Sequence, residues 1–281
     1  MRTIEKAVTN LETESQTSGE AKGNVISHTQ RKEVNSSTML ELPWDMMKEK
    51  GMLTPESGRS EIAEELRAIK RPILKKAFSS EAKHGDNNNL VMITSSVPGE
   101  GKSFSAINLA ISIAMELDRT ALLVDADVAK PSLGKYLDFR AEKGLVDFLL
   151  DTKMPLSDVL IKTDLPKLSI LPAGRQHHYS TELLASESMK VLLDELSTRY
   201  YDRVVIFDSP PILATSEAHV LASQMGQVVM VVEACKTSQA MLKEALSIIG
   251  NANISGLVLN KNRVKSGGSN YGYGYGYDRQ D

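Results

Sequence analysis

Short, almost uninterrupted apolar runs alternate with longer amphipathic stretches along most of the chain. The apolar runs predict strands at 90–94, 121–124, 168–171, 204–207, 228–232 and 257–259. The stretches between several of them predict helices at 104–117, 183–198, 218–224 and 240–249. Strands that alternate with helices and have no polar face are typical of a parallel sheet covered on both sides. The pattern therefore predicts an α/β fold with a mostly parallel sheet.

The first part of the chain has a different pattern. Residues 1–37 are rich in Thr, Ser, Glu, Asn and Lys and contain few large apolar groups, so we expect them to be disordered. Residues 38–59 contain the only tryptophan, Trp44, and are expected to form a partly ordered linker. Two interpretations of the linker stay open: a clasp that packs on the core, and a surface that docks to a partner. The folded domain is predicted over 60–262.

A charged helix is predicted at the start of this domain. Ser60 is a plausible N-cap residue, and Pro72 is expected to end or kink the helix. Three charged side chains recur at a spacing of three on one stripe of the helix: Glu64, Arg67 and Lys70. Charges at this spacing usually form a solvated face, and a specific interface is the alternative.

A glycine-containing loop, 96–103, follows the first strand of the domain and precedes a helix, which is the context of a phosphate-binding P-loop. Gly99 and Gly101 let the backbone curl so that its N–H groups point at phosphate oxygens. Lys102 is expected to reach the β- and γ-phosphates of a nucleotide, and the Ser103 hydroxyl to bind Mg²⁺. Ser96 replaces the first glycine of the strict motif.

Aspartates stand at or just beyond the ends of two other predicted strands. Asp125 and Asp127 close one apolar run, and Asp208 closes another. The carboxyl ends of parallel strands are where such sheets bind ligands. One aspartate at a strand end is more often a turn residue or a helix cap. Three of them with a Gly-Lys-Ser sequence favour a magnesium–nucleotide site instead.

Composition narrows the class of protein. The 281 residues are 41% hydrophobic and 25% charged, and the formal net charge is −3. These values fit a soluble globular protein and give no electrostatic case for binding nucleic acid. No apolar run is long enough to span a membrane, so we expect any membrane role to depend on a partner.

The chain ends in tyrosines that alternate with glycines. Four of its eight tyrosines lie in the last eleven residues: Tyr271, Tyr273, Tyr275 and Tyr277. Residues 263–281 are predicted to form a flexible tail, and a tether of about ten residues has a reach of roughly 17 Å. A low-complexity sticky segment is one interpretation. A set of phosphate acceptors is the other, and the predicted nucleotide site upstream favours it.

These segments resemble the motifs of the bacterial tyrosine kinases of polysaccharide export, also called BY-kinases. The similar elements are 96–103, 122–127 and 204–211, which look like Walker A, A′ and B motifs, together with 182–190 and the tyrosine-rich tail. The resemblance covers about three-quarters of the chain, from residue 61 to the end. The region around Pro43 to Pro55 is similar to a subgroup coupled to a separate chain-length-determinant membrane protein, the exosortase-associated tyrosine autokinases.

The resemblance implies roles for individual residues. Asp127 and Asp208 would hold the metal together with Ser103, with Asp208 acting through water. Asp125 would accept the proton from an incoming tyrosine. ATP would bind along the whole Walker A segment, with Lys102 also catalytic: Pro98, Gly99, Glu100, Gly101, Lys102, Ser103 and Phe104.

The family also implies an oligomer. This chain departs from the family pattern at two positions, one in the motif of the oligomer interface and one after the second aspartate. The Glu64-x-x-Arg67-x-x-Lys70 pattern resembles a motif at the interface of a ring, but lysine replaces the last arginine. Lysine keeps the charge and loses the planar fork. Ala129 stands where the family usually has an arginine after the second aspartate, and Lys130 could substitute for it.

The resulting expectation is an ATP- and Mg²⁺-dependent protein-tyrosine autokinase that phosphorylates its own tail in trans. Its partners would be copies of itself in a ring, a membrane chain-length determinant and cytoplasmic substrate proteins. It would lie in the cytoplasm and be recruited to the inner face of the membrane. The alternatives are a switch ATPase of the ParA/MinD kind and a non-catalytic assembly module. ParA/MinD proteins carry a second lysine in the P-loop where this chain has Val97, which counts against the first alternative.

Overall fold

The computed structural model describes residues 31–34, 38–79, 87–151, 153–198, 202–250 and 253–262. The predictions of a disordered segment before residue 31 and of a flexible tail after residue 262 lie outside these ranges. One part of the predicted disordered segment is a strand, Lys32–Val34 (β1), which pairs in parallel with Phe139–Ala141 (β4). Composition is an average over the whole segment and does not reveal three residues that find backbone partners and bury Val34.

The core of the fold is a seven-stranded sheet in the order β5-β6-β3-β7-β2-β8-β9. Every neighbouring pair in it is parallel except β5 and β6, which are antiparallel. The prediction of a mostly parallel α/β sheet is therefore confirmed. Its strands are β2 (Leu90–Ser95), β3 (Thr120–Asp125), β5 (Ile161–Lys162), β6 (Leu168–Leu171), β7 (Arg203–Asp208), β8 (Gln227–Glu233) and β9 (Ile254–Asn260).

Helices cover both faces of the sheet, because the central strands are apolar on both sides. One face packs against α1, α2 and α3, and the other against α5, α7, α8 and α9. No helix among the described residues combines the length and apolarity that a membrane span requires. The helices are α1 (Trp44–Glu49), α2 (Glu61–Ala77), α3 (Lys102–Ala114), α4 (Leu133–Tyr136), α5 (Leu145–Leu150), α6 (Ser180–Leu183), α7 (Glu187–Thr198), α8 (Ser216–Gln224) and α9 (Gln239–Ile249).

Of the two effects predicted for Pro72, termination of helix α2 is wrong, because the helix continues to Ala77. Leu66 and Ile73 are buried against the core and hold both halves of the helix in place. Pro72 and Ala68 lie on the exposed side, where the Ala68 carbonyl that loses its helical partner can bond to water instead. The predicted helix over 183–198 likewise differs, since it is divided into α6 and α7.

The linker over 38–59 packs on the core, which favours the clasp interpretation. Leu40 pairs with Thr163 and is 1% exposed. The indole Nε1 of Trp44 donates to Asp164 Oδ2 at 2.9 Å, so the only tryptophan is anchored within the chain. The amide of Leu53 donates to the side chain of Asn108 in α3 at 2.6 Å. The clasp therefore joins the outer strands of the sheet to the helix that follows the P-loop.

Candidate active site

The order of the strands brings the predicted site residues together. Strand β7 lies between β2 and β3 in the sheet, so the carboxyl ends of all three strands are neighbours. The loop 96–103 follows β2, Asp208 ends β7, and Asp125 ends β3 opposite Asp208. The Walker A, A′ and B segments thus meet at one edge of the sheet, as the sequence predicts.

The loop after β2 has the backbone of a phosphate cradle. Gly99 and Gly101 have φ values of 91° and 101°, in the left-handed region that glycine adopts without strain. Helix α3 begins at Lys102, so its N-terminal N–H groups face the loop. A cavity of about 630 Å³ opens beside the loop. Six of the seven residues predicted to bind ATP line this cavity: Pro98, Gly99, Gly101, Lys102, Ser103 and Phe104.

Lys102 lies among the predicted metal ligands. Its Nζ is 2.7 Å from Asp127 Oδ2, 3.3 Å from Asp208 Oδ1 and 3.4 Å from Ser103 Oγ. Burial alone would lower the pKa of Lys102, but the charges of Asp208 and Asp127 outweigh burial and raise the pKa. The lysine is therefore charged, and it sits where it can turn toward a phosphate in the cavity.

Asp125, like Asp208, is more deeply buried than Asp127. The residue is 2% exposed and does not line the cavity. Its Oδ2 accepts hydrogen bonds from the amides of Ser132 and Leu133, both at 3.1 Å, and its Oδ1 has no partner among the described residues. Burial, together with the nearby charge of Asp208, raises the pKa of Asp125 to about 8. Burial also raises the pKa of Asp208.

Ser132 is a site residue that the sequence reasoning missed. Its hydroxyl donates to Asp208 Oδ2 at 3.1 Å, and its amide donates to Asp125. One residue thus joins the loop after β3 to the end of β7, and it also lines the cavity. The signal available in the sequence was a serine directly before the short segment Leu133–Tyr136, since serine is a preferred N-cap residue.

The P-loop is held in place by residues near the ends of β8 and β9. Glu100, although predicted to bind ATP, turns away from the cavity and accepts from the Val97 amide at 2.8 Å and from the Thr237 hydroxyl. The Asn260 side chain donates to the Glu100 carbonyl at 2.8 Å, and Lys261 Nζ donates to the Gly99 carbonyl at 2.6 Å. Asn260 and Lys261 directly follow the strand predicted at 257–259. Their position at the carboxyl end of a strand is the signal that could have identified them.

The predicted interface motif is not a single exposed stripe. Glu64 and Arg67 pair with each other on the exposed side of α2, and Arg67 also donates to the Gly58 carbonyl at 3.1 Å. Lys70 differs: its residue is 7% exposed, and its Nζ donates to the Ser112 carbonyl of α3 at 2.8 Å. The expectation that Lys70 faces a neighbouring subunit is therefore not met in this structure, because Lys70 joins α2 to α3.

The donor set at the site fits Mg²⁺ bound together with a nucleotide. No group of three or more His, Cys, Asp or Glu side chains in the described part of the chain could hold a metal by itself. Mg²⁺ does not need such a group, because it typically takes one or two carboxylates and completes its shell with water and substrate phosphates. Ser103, Asp127 and Asp208 supply hard oxygen donors of this kind around Lys102.

Comparison with known proteins places this geometry in a family. A family model described as the AAA domain matches residues 89–256, which include the P-loop and all three aspartates. The putative tyrosine-protein kinase CapB of Staphylococcus aureus is 30% identical over 232 residues, which cover 80% of this chain and 97% of CapB. The chain belongs to the bacterial tyrosine-protein kinases. This membership confirms the family that the sequence motifs predict.

Other relatives match over a smaller share of their length. The tyrosine-protein kinase ptk of Acinetobacter johnsonii is 34% identical over 183 residues, or 64% of this chain and 24% of ptk. The succinoglycan biosynthesis transport protein ExoP of Rhizobium meliloti (strain 1021) is 34% identical over 184 residues, or 63% of this chain and 23% of ExoP. The chain thus spans about a quarter of the length of these relatives.

A solved structure of the family has the same fold. The kinase domain of the Escherichia coli tyrosine kinase ETK superposes with a TM-score of 0.63 at 28% sequence identity. The match covers 76% of this chain and 80% of that domain. None of these relatives identifies the exosortase-associated subgroup, which stays a prediction.

Proposed function

We propose that this chain is an ATP-dependent protein-tyrosine autokinase that phosphorylates its own C-terminal cluster in trans. The acceptors in this proposal are Tyr271, Tyr273, Tyr275 and Tyr277, which lie outside the described residues. The observation that carries the proposal is the cluster of Lys102, Asp127 and Asp208 against a glycine-bent P-loop in a chain of this kinase family.

Each residue of the cluster has a part in phosphoryl transfer. The P-loop amides and Lys102 would bind and orient the phosphates of ATP, with Lys102 leaving its carboxylate partners to do so. Ser103, Asp127 and, through water, Asp208 would hold Mg²⁺, which when bound supplies charge neutralisation on the transferred group. Phosphoryl transfer depends mostly on such positioning and charge stabilisation.

Asp125 is the proposed proton acceptor. A tyrosine phenol has a pKa near 10, so a carboxylate that takes its proton assists the attack on phosphate. A base is most effective when its pKa is close to the working pH, and burial places the pKa of Asp125 at about 8. Asp125 lies behind the cavity wall. In this proposal the tyrosine hydroxyl reaches Asp125 Oδ1 when Lys102 turns away from the aspartates.

The wider role is regulation of exopolysaccharide polymerisation and export. The name of ExoP, a succinoglycan biosynthesis transport protein, supports a link to polysaccharide export. We propose that the chain assembles with copies of itself and with a membrane chain-length-determinant protein, which would recruit it from the cytoplasm to the inner face of the membrane. Each phosphate adds about −1.5 to −2 charge, so a fully modified tail would repel neighbouring subunits and drive disassembly.

Intact-mass measurement of the purified chain after incubation with Mg-ATP tests this function. Wild type should gain mass in steps of one phosphate. Lys102→Met should gain none because it loses the phosphate-binding cation. The variant with all four tail tyrosines changed to phenylalanine should gain none because it loses the acceptors.

The same measurement separates the kinase from a switch ATPase. ATP turnover by the wild type without any gain of mass would contradict the kinase proposal and favour a ParA/MinD-like switch. A mass gain that persists in the tyrosine-to-phenylalanine variant would place the acceptors elsewhere in the chain and contradict the assignment of the tail.

A further inference from the structure

The last strand of the sheet presents an open, apolar edge. β9 is the end strand, and no other described strand pairs with its outer edge. Leu257 and Leu259 are 53% and 61% exposed, although they lie in a strand of the central sheet. Proteins usually cover or charge such an edge because it can pair with other chains. We therefore expect another segment of polypeptide to cover this edge.

A groove follows this edge. It lies between α2 and β9 and has a volume of about 340 Å³. Ile62 and Ile69 of α2 line one wall, Phe104 of α3 contributes next to it, and Val258 lines the β9 side. Because side chains alternate along a strand, Val258 points toward α2 while Leu257 and Leu259 point to the opposite face of the sheet. An added strand would meet different surroundings on its two faces.

The C-terminal part of the chain that lies outside the described residues begins next to this edge. Asn262 is the last described residue, two positions after β9 ends at Asn260. The Tyr/Gly repeat over 271–277 has seven residues, the same number as β9. In an extended conformation its four tyrosines share one face and its three glycines share the other. The tail thus has the length and the two-sided pattern that the edge requires.

We propose that the unphosphorylated segment 271–277 of the same chain pairs with the outer edge of β9 as an additional strand. The tyrosine rings would pack over Leu257 and Leu259, and the glycines would let the backbone lie close to α2. Residues 261–270 are long enough to return the chain in the antiparallel direction. Backbone hydrogen bonds and aromatic–aliphatic pairs across strands would hold the segment.

This pairing is expected to be reversible. Glycine at alternate positions lowers the tendency of the segment to form a strand, so docking depends on contacts between tyrosines and leucines. A phosphate on a ring that covers Leu257 or Leu259 would have to leave water, which disfavours the docked form. That last consequence, unlike the docking itself, rests on the proposed kinase activity. Phosphorylation would then release the tail from the edge.

Protection of the tail from chymotrypsin, which cleaves after tyrosine, tests the proposal on the full-length chain without nucleotide. Changing Leu257 and Leu259 together to serine should raise the rate of tail cleavage, followed by intact mass, about fivefold by loss of the cross-strand pairs. Val191 and Leu117 are 62% and 86% exposed elsewhere on the surface, so their double change to serine is a matched control that should cleave at the wild-type rate.

Three results would overturn the inference. One is tail cleavage that is equally fast in wild type and in the Leu257/Leu259 variant. Another is protection that rises with protein concentration, because it would assign the edge to a second copy. The third comes from hydrogen exchange: the β9 amides should exchange faster when the four tail tyrosines are changed to serine, and unchanged exchange contradicts docking. Lys102→Met should keep the wild-type protection, so failure of the kinase proposal leaves this test unaffected.

Discussion

Two lysines are buried in the described part of this protein, and their surroundings differ. Lys102 at the P-loop faces Asp127 and Asp208, with Asp125 behind them, so carboxylates outnumber the cation. Lys70 on α2 meets one backbone carbonyl, that of Ser112, and one partly exposed carboxylate, that of Glu116 at 2.5 Å. An excess of buried negative charge lowers the stability of the nucleotide-free protein. Such an excess suits a site that receives a cation together with its substrate. A balanced pair suits a contact between helices.

The largest difference between the two lysines should be in activity. Lys102→Met removes the cation that binds the transferred phosphate, and we expect tail phosphorylation to fall by at least about a hundredfold. Lys70→Met should retain activity close to that of wild type at a temperature where both variants are folded. Phosphotyrosine formed per minute measures both variants. Strong activity in Lys102→Met would contradict the claim that Lys102, unlike Lys70, is needed for phosphoryl transfer.

The excess of carboxylates should also appear in the dependence of stability on pH. The pKa of Asp125 is about 8 in the folded, nucleotide-free protein, so the folded state keeps a proton that the unfolded chain releases near its ordinary pKa of 3.8. Its contribution to stability is therefore complete below that ordinary pKa and is lost as the pH rises to about 8.

Asp125→Asn is the matching variant, since asparagine keeps an oxygen that can accept from the Ser132 and Leu133 amides. Between pH 5 and 9 the melting temperature of wild type should fall by about 4 °C or more relative to this variant. Parallel curves for the two proteins would contradict the assignment of the raised pKa.

Lys70 should matter for stability instead. Lys70→Met leaves the Ser112 carbonyl without its donor at the end of α3, and we expect the free energy of unfolding to fall by about 1–2 kcal/mol. Lys75→Met, an exposed lysine on the same helix, is the control and should change stability very little. Urea unfolding curves measure both, and equal stability of the two variants would show that Lys70 does not join the helices.

The smallest effect on stability should come from Arg67. Its pair with Glu64 is exposed, so Arg67→Ala should change the free energy of unfolding by less than about 0.5 kcal/mol. If α2 contributes to a ring, the same change should weaken self-association, measured by sedimentation velocity. Arg71→Ala on the exposed side of α2 is the control. Loss of stability without a change in association would assign Arg67 a purely internal role.

The same contrast shows what the sequence could predict. The surroundings of Lys102 are encoded locally, because the glycines, the Gly-Lys-Ser sequence and the apolar strands specify a P-loop, and the parallel sheet then aligns the aspartates at one edge. The burial of Lys70 depends on Ser112, 42 positions away in another helix, so spacing along α2 could not reveal it. Pro72 was misleading for a similar reason, since tertiary packing on both sides of it maintains α2.

Complementation between two inactive chains tests the central claim most directly. The Lys102→Met chain keeps the tail tyrosines but lacks the phosphate-binding lysine, and the chain with four tail phenylalanines keeps the lysine but lacks the acceptors. When the two are mixed with Mg-ATP, we expect only the Lys102→Met chain to gain phosphate in intact-mass spectra. No gain on that chain, while the wild type alone is phosphorylated, would contradict transfer in trans from the Lys102 site to the tail.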